Sequence, residues 1–151
     1  MTVEKEHPRV VVIHGPNLNM LGQREPETYG RTTLNCIDKE IKTLGIELDI
    51  EVETFQSNSE GAIVSIIHRV FEENIDGVII NPAAYTHTSV AIRDALLLLA
   101  CPVIEVHLSN IYKREKFRHT SLVSGVVNAQ ITGLGSLGYS LALRALKELM
   151  K

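Results

Sequence analysis

Two residues on one short apolar run, Glu105 and His107 in Pro102-Val-Ile-Glu-Val-His-Leu-Ser-Asn110, are the first that could do chemistry. A spacing of two puts both side chains on the same face if the run is a strand. Burying a carboxylate and an imidazole on a central strand is costly unless they pair. A paired histidine is a ready proton donor near neutral pH. A second couple, Arg24 and Tyr29, stands in the polar stretch Gly15-Pro-Asn-Leu-Asn-Met-Leu-Gly-Gln-Arg-Glu-Pro-Glu-Thr-Tyr-Gly30. A free tyrosine titrates near 10, so making its phenolate at pH 7 costs about 4 kcal/mol. A guanidinium a few ångströms away lowers that cost by stabilising the charged form. The couple could thus supply a base for a carbon acid. On spacing alone, Tyr29 reads more readily as a surface tyrosine and Arg24 as a solvated charge.

Two other groupings carry alternatives. His87, with Glu105 and His107, makes the donor set of a two-histidine, one-carboxylate metal site and hence of a metal-dependent hydrolase, although the Glu-x-His spacing is weak support. Gly133-Leu-Gly-Ser-Leu-Gly138 matches a dinucleotide fingerprint and would suit a non-catalytic ligand-binding domain. That fingerprint needs a further strand and an acidic residue about 20 positions on. The sequence stops at Lys151, which favours a tight turn with close helix packing instead. Lys113, Arg114, Lys116 and Arg118 form either a solvated face or a clamp for an anionic substrate.

The elements that would position these groups alternate along the chain. Arg9–His14 is continuous and β-branched, as expected of a strand buried on both faces. A helix is expected from about Thr33 to Leu44, ended by Gly45. Glu47–Thr54 alternates charged and apolar residues, as an edge strand does. Ser57-Asn-Ser-Glu60 reads as a capping box, opening a helix with Ile63, Ile66, Ile67 and Val70 on one side. Strands follow at Gly77–Asn81, Pro102–Leu108 and Val126–Thr132, with helices at Ser89–Ala100 and from Leu137 onward. The last helix carries a stripe of Leu137, Leu141, Ala145 and Leu149. Leu96–Leu99, apolar on every side, reads as a doubly buried helix or a subunit interface.

This alternation calls for a parallel sheet with right-handed crossovers and helices on both faces. Five strands favour the order 2-1-3-4-5, whose ligands sit beyond the carboxyl ends of the strands. Chemistry-bearing residues should therefore gather after strands 1, 3 and 4. The stretch after strand 1 is longer than a βα turn requires, which marks a binding loop or lid over about 17–31.

Composition narrows the function classes. Fifteen basic and eighteen acidic residues leave a net charge of −3, no balance for a nucleic-acid surface. With 44% hydrophobic and 22% charged residues among 151, the chain reads as one globular domain spanning 1–151, able to build its own core. No run approaches the apolar length of a membrane span. Cys36 and Cys101 read as two buried thiols in a reducing, cytoplasmic setting.

The segments GPNLNMLGQREPETYG, QSNSEGAIVSIIH, INPAAYTHTSVAIRDAL and PVIEVHLSNIYKREKFRHTS together resemble the type II 3-dehydroquinate dehydratases. The resemblance implies a flavodoxin-like three-layer α/β sandwich, assembled as a homododecamer. It also implies a lyase without cofactor or metal that removes water from 3-dehydroquinate, in the shikimate or quinate pathway. Tyr29 matches the family's base at C2 and Arg24 the residue that favours its phenolate. Asn17 matches a group that stabilises the enolate through a water. His107 matches the acid for the C1 hydroxyl, with Glu105 beside it. Asn81, His87, Leu108, Ser109 and Arg118 match groups that hold substrate, and Arg114 a lid-side arginine. Asp94 resembles a residue that approaches a neighbouring subunit's site. His14, Cys36, Cys101 and Tyr112 stand at positions read as variable.

Overall fold

The computed structural model describes residues 7–23, 27 and 32–151. Five strands, β1 Arg9–His14, β2 Glu51–Gln56, β3 Gly77–Asn81, β4 Val103–His107 and β5 Ala129–Thr132, form one parallel sheet. Its order is β2-β1-β3-β4-β5, as the alternation predicts. Among the described residues, the helices α1 Leu34–Glu47, α2 Glu60–Glu72, α3 Val90–Leu96 and α4 Leu137–Leu149 cover the two faces.

The run of β-branched residues in β1 is explained by what it touches. Val10 and Val12 enter the core under α1 and α4, whereas Val11 and Ile13 enter the core under α2 and α3. All four are at most 1% exposed. Each such side chain stabilises the fold by about 1.5–3 kcal/mol through its burial. The register sets His14 beside Asn81 across β1 and β3, and Ile80 beside Glu105 across β3 and β4. The carboxyl ends of the three inner strands therefore open on a common rim.

Several boundaries differ from the sequence reading. α1 continues through Gly45 to Glu47. A Cβ at Gly45 would lie 2.7 Å from Val52 Cγ2 and 2.8 Å from the Ile50 carbonyl, so the glycine permits close helix–strand packing and does not end the helix. The chain turns instead at Asp49, with φ of 57°. Glu47 and Asp49 thus lie before β2. Within the strand, Glu53 is held by Arg9 and Arg69, both at 2.9 Å. The cap of α2 is Ser59, whose hydroxyl accepts from the Ala62 amide, while Ser57 accepts from Ser59 and shapes the turn before it. α3 ends at Leu96, and Leu97 and Leu98 are exposed, so the run is not doubly buried within this chain. β4 is shorter at both ends than expected, and a single tight turn at Ser124–Val126 precedes β5.

The stripe expected on α4 lies mostly on the outer side of the helix, with Ala145 partly buried against the core. Residues four apart drift about 40° per step around an α-helix. Leu137, Leu141 and Leu149 accordingly face outward, and Tyr139, Ala142, Leu143 and Leu146 fill the core. The thiols also depart from expectation: Cys36 is exposed in the first turn of α1, and Cys101 is half-buried.

Candidate active site

The rim begins with a close backbone approach. The Gly15 amide donates to the Asn81 carbonyl at 2.8 Å. A Cβ at Gly15 would meet the Pro82 carbonyl oxygen at 2.4 Å, which no side chain tolerates. The loops leaving β1 and β3 are thereby pressed together. The Gln56 amide donates to the Gly15 carbonyl at 3.1 Å. Asn17 follows in a left-handed conformation, its amide donating to Asn58 Oδ1 at 3.0 Å.

Asn81, the last residue of β3, is buried with both ends of its amide engaged. Its Oδ1 accepts from the Ala83 amide and its Nδ2 donates to the Tyr139 hydroxyl. The tight turn Ala83–His87 then brings His87 back to the rim. There its Nδ1 lies 2.8 Å from the Thr120 carbonyl, which can only accept. Burial pushes the His87 ring below its ordinary pKa, helped by His107 and Arg118, against the pull of the Thr120 carbonyl. The ring is neutral near pH 7, so Nε2 is left as an acceptor suited to a hydroxyl.

His107 closes β4, its ring 6.5 Å from that of His87 and nearly parallel to it. Its Nε2 donates to Glu105 Oε2 at 2.5 Å. The carboxylate is fully buried and also accepts from Thr86 Oγ1 at 2.5 Å and Ser121 Oγ at 3.0 Å. Burial pushes the Glu105 carboxyl upward. The bond and charge of His107 and the two hydroxyls outweigh that, holding it below the usual glutamate range. A buried carboxylate held by two hydroxyls fixes the orientation of the imidazole it faces and leaves Nδ1 as the ring nitrogen turned to other partners.

The sign of the linkage follows from this lowered value. The stabilisation is present above the unfolded pKa of about 4.3 and is lost as pH falls through the folded value. Denaturant midpoints of the native chain are expected to drop steeply on acidification below about pH 4.3. Glu105→Gln should start lower and show a shallower acid slope. Equal slopes would contradict this state of Glu105.

The loop after β4 completes the rim. The carbonyls of His107 and Leu108 accept from the amides of Gly133 and Gly135, at 3.2 and 2.9 Å. Both glycines have positive φ, and Gly138 packs against Val106 and Ile131. The glycine-rich segment is a turn that braces β4, as the sequence reading favoured. Arg114 reaches to 3.5 Å from Ser109 Oγ, and Arg118 pairs with Glu115.

One cavity collects Asn17, Asn81, His87, His107, Leu108, Ser109, Arg114 and Arg118, with an apolar wall that includes Leu18, Leu21 and Ile111. Glu105 stands behind His107 and outside the lining. Asp94 is exposed on α3, away from the cavity. Lys113 and Lys116 are exposed and outside it too, so of the basic run Arg114 and Arg118 line the cavity. Arg24, Tyr29 and much of the expected lid lie outside the described residues. Thr86 and Ser121 were missed in the sequence. The available signal was the demand of a buried glutamate for more donors than one histidine supplies.

The arrangement suits acid–base chemistry better than metal binding. Glu105 and His107 spend their facing atoms on each other, and among the described residues no three His, Cys, Asp or Glu side chains are placed to hold a metal ion. Residues 8–147 match the family model described as Dehydroquinase class II. The chain belongs to that family. A 3-dehydroquinate dehydratase of Halothermothrix orenii is 54% identical over 143 residues, covering 95% of this chain and 96% of that protein. One from Synechocystis is 54% identical over 140 residues, covering 93% and 91%. The crystal structure of type II dehydroquinase from Propionibacterium acnes superposes with a TM-score of 0.90 at 45% identity, covering 94% of this chain and 99% of that one. The fold of this class II dehydroquinase family member is thus the flavodoxin-like sandwich that the motifs implied.

Proposed function

We propose that this chain is a hydro-lyase that converts 3-dehydroquinate to 3-dehydroshikimate through an enolate, in the shikimate pathway or in quinate breakdown. The family and the names of the relatives support the reaction. The observation that carries it is the His107–Glu105 pair at the wall of a cavity that also holds two arginines, two asparagines and a second imidazole. Tyr29 takes the C2 proton, which the C3 ketone acidifies, and Arg24 favours the phenolate that does so. Asn17, through a water, stabilises the enolate oxygen. His107 gives a proton to the C1 hydroxyl, which leaves as water as the C1–C2 double bond forms. Such an elimination needs a base, an oxyanion stabiliser and an acid at three separate points.

Asn81, His87, Leu108 and Ser109 hold hydroxyl and carboxylate groups, and Arg114 and Arg118 supply positive charge for the carboxylate. The assay is incubation of the purified chain with 3-dehydroquinate in chelator, following the ultraviolet absorbance of the conjugated enone. Growth of that band supports the reading. A flat trace with folded protein, or activity lost to chelator, defeats it.

We assign all of 1–151 to one catalytic domain and a homododecamer to its assembly, acting in the cytoplasm. The exposed apolar residues Val90, Leu97 and Leu98 flank Asp94 on and just after α3, a surface suited to bring Asp94 to a neighbour's site. Light scattering should give the mass of twelve chains. A single-chain mass at working concentration would remove both the assembly and Asp94's part in it. Two free thiols are in keeping with a reducing compartment. Among the described residues no helix is long and apolar enough to cross a membrane.

A further inference from the structure

A buried line of hydrogen bonds runs from the cavity wall to the surface between α1 and α4, and no step of the reaction uses it. Asn81 Nδ2 lies 3.0 Å from the Tyr139 hydroxyl, and that hydroxyl lies 3.0 Å from His14 Nδ1. His14 Nε2 lies 2.8 Å from Asp38 Oδ1. Tyr139 and His14 are wholly buried, whereas Asp38 is partly open to solvent at 24%. The rings of His14 and Tyr139 also touch, with centroids 5.2 Å apart.

The line has one direction. Asn81 Oδ1 accepts from the Ala83 amide, so its NH2 group must be the end that faces Tyr139. The phenol oxygen therefore accepts from Asn81 and turns its own proton to His14 Nδ1. The imidazole then carries its proton on Nε2 and donates it to the Asp38 carboxylate. Burial raises the Tyr139 phenol well above its ordinary pKa, so it remains the donor this order needs. Every link agrees with its neighbours, and a reversed amide would set a carbonyl oxygen where Tyr139 now receives a proton.

We propose that Tyr139, His14 and Asp38 are positioning residues that hold the Asn81 amide in one orientation, so that a carboxylate oxygen of the substrate at Asn81 meets an N–H donor and not a carbonyl. This rests on the reading that Asn81 holds substrate. A flipped amide would set its carbonyl oxygen against an oxygen that can only accept, and would weaken binding of the carboxylate while leaving the proton-transfer groups in place. The residues therefore set KM more than kcat.

The test is a double-mutant cycle in the enone assay. Asn81→Ala should raise KM. Tyr139→Phe should raise KM about 5- to 30-fold with kcat changed less than about 3-fold, and should add less than about 2-fold in the Asn81→Ala background. Asp38→Ala, at the partly exposed end, guards against misfolding of the buried variant. It should raise KM in the same direction by a smaller factor, and that increase should also vanish without Asn81. A merely structural role predicts otherwise: fewer active molecules lower apparent kcat and leave KM alone. The proposal is overturned if Asn81→Ala raises KM but Tyr139→Phe and Asp38→Ala do not, or if their effects persist undiminished beside Asn81→Ala. Should Asn81→Ala itself leave KM unmoved, the assignment of Asn81 to substrate falls first, and the positioning role falls with it.

Discussion

Tyr29→Phe is expected to reduce kcat by about 10²–10⁴, the usual worth of a positioned general base, with KM changed several-fold at most. The substitution keeps the aromatic ring and removes only the oxygen proposed to take the C2 proton. The phenol is a costly base at neutral pH, which is why a guanidinium partner is part of the reading. Exchange of the C2 hydrogen with deuterated solvent should slow by the same factor as enone formation, because both begin with the same proton transfer. Turnover within a few-fold of the native chain would remove Tyr29 from the reaction and leave the carbon acid without an assigned base.

His107→Ala should have an effect of similar size on dehydration but a different signature. In the proposed sequence of steps the acid acts at the leaving hydroxyl, after the C2 proton has gone. Exchange of that hydrogen should therefore outlast enone formation in this variant, so that the ratio of exchange to dehydration rises. Equal loss of both would place His107 in the first proton transfer or in binding. The substitution also leaves Glu105 buried without its main partner. Removing one member of such a pair costs about 3–5 kcal/mol. His107→Gln, whose amide NH2 can still donate toward the carboxylate, is the control that separates lost acid from lost fold.

The parts of this site that were legible in the sequence are those whose geometry is local. A spacing of two on a strand fixes a common face, so Glu105 and His107 could be paired on paper, and they meet at 2.5 Å. Four buried β-branched residues in a row determine β1 and, with the alternation around it, the sheet order. The parts that were not legible depend on contacts distant in sequence. Gly45 looks like a helix stop until Val52 and Ile50 are seen packed against it. Leucines four apart look like a buried stripe until the twist of the helix carries them away from the core, which Tyr139 enters instead. Thr86 and Ser121 meet Glu105 from loops 19 and 16 residues away. His14, which reads as a variable strand end, joins a residue 125 positions further on. Hydrogen-bond partners at such distances are set by the crossovers, and local spacing carries little trace of them.

The most direct measurement is the structure of the assembled protein with a cyclic carboxylate analogue of the enolate bound. The account predicts the Tyr29 oxygen about 3–3.5 Å from the ligand carbon equivalent to C2, with Arg24 beside it. It places a His107 nitrogen on the group that stands for the C1 hydroxyl, and the carboxylate against the cavity's hydroxyl and arginine side. A bound ligand with Tyr29 turned away from that carbon, or with another side chain in its place, would contradict it.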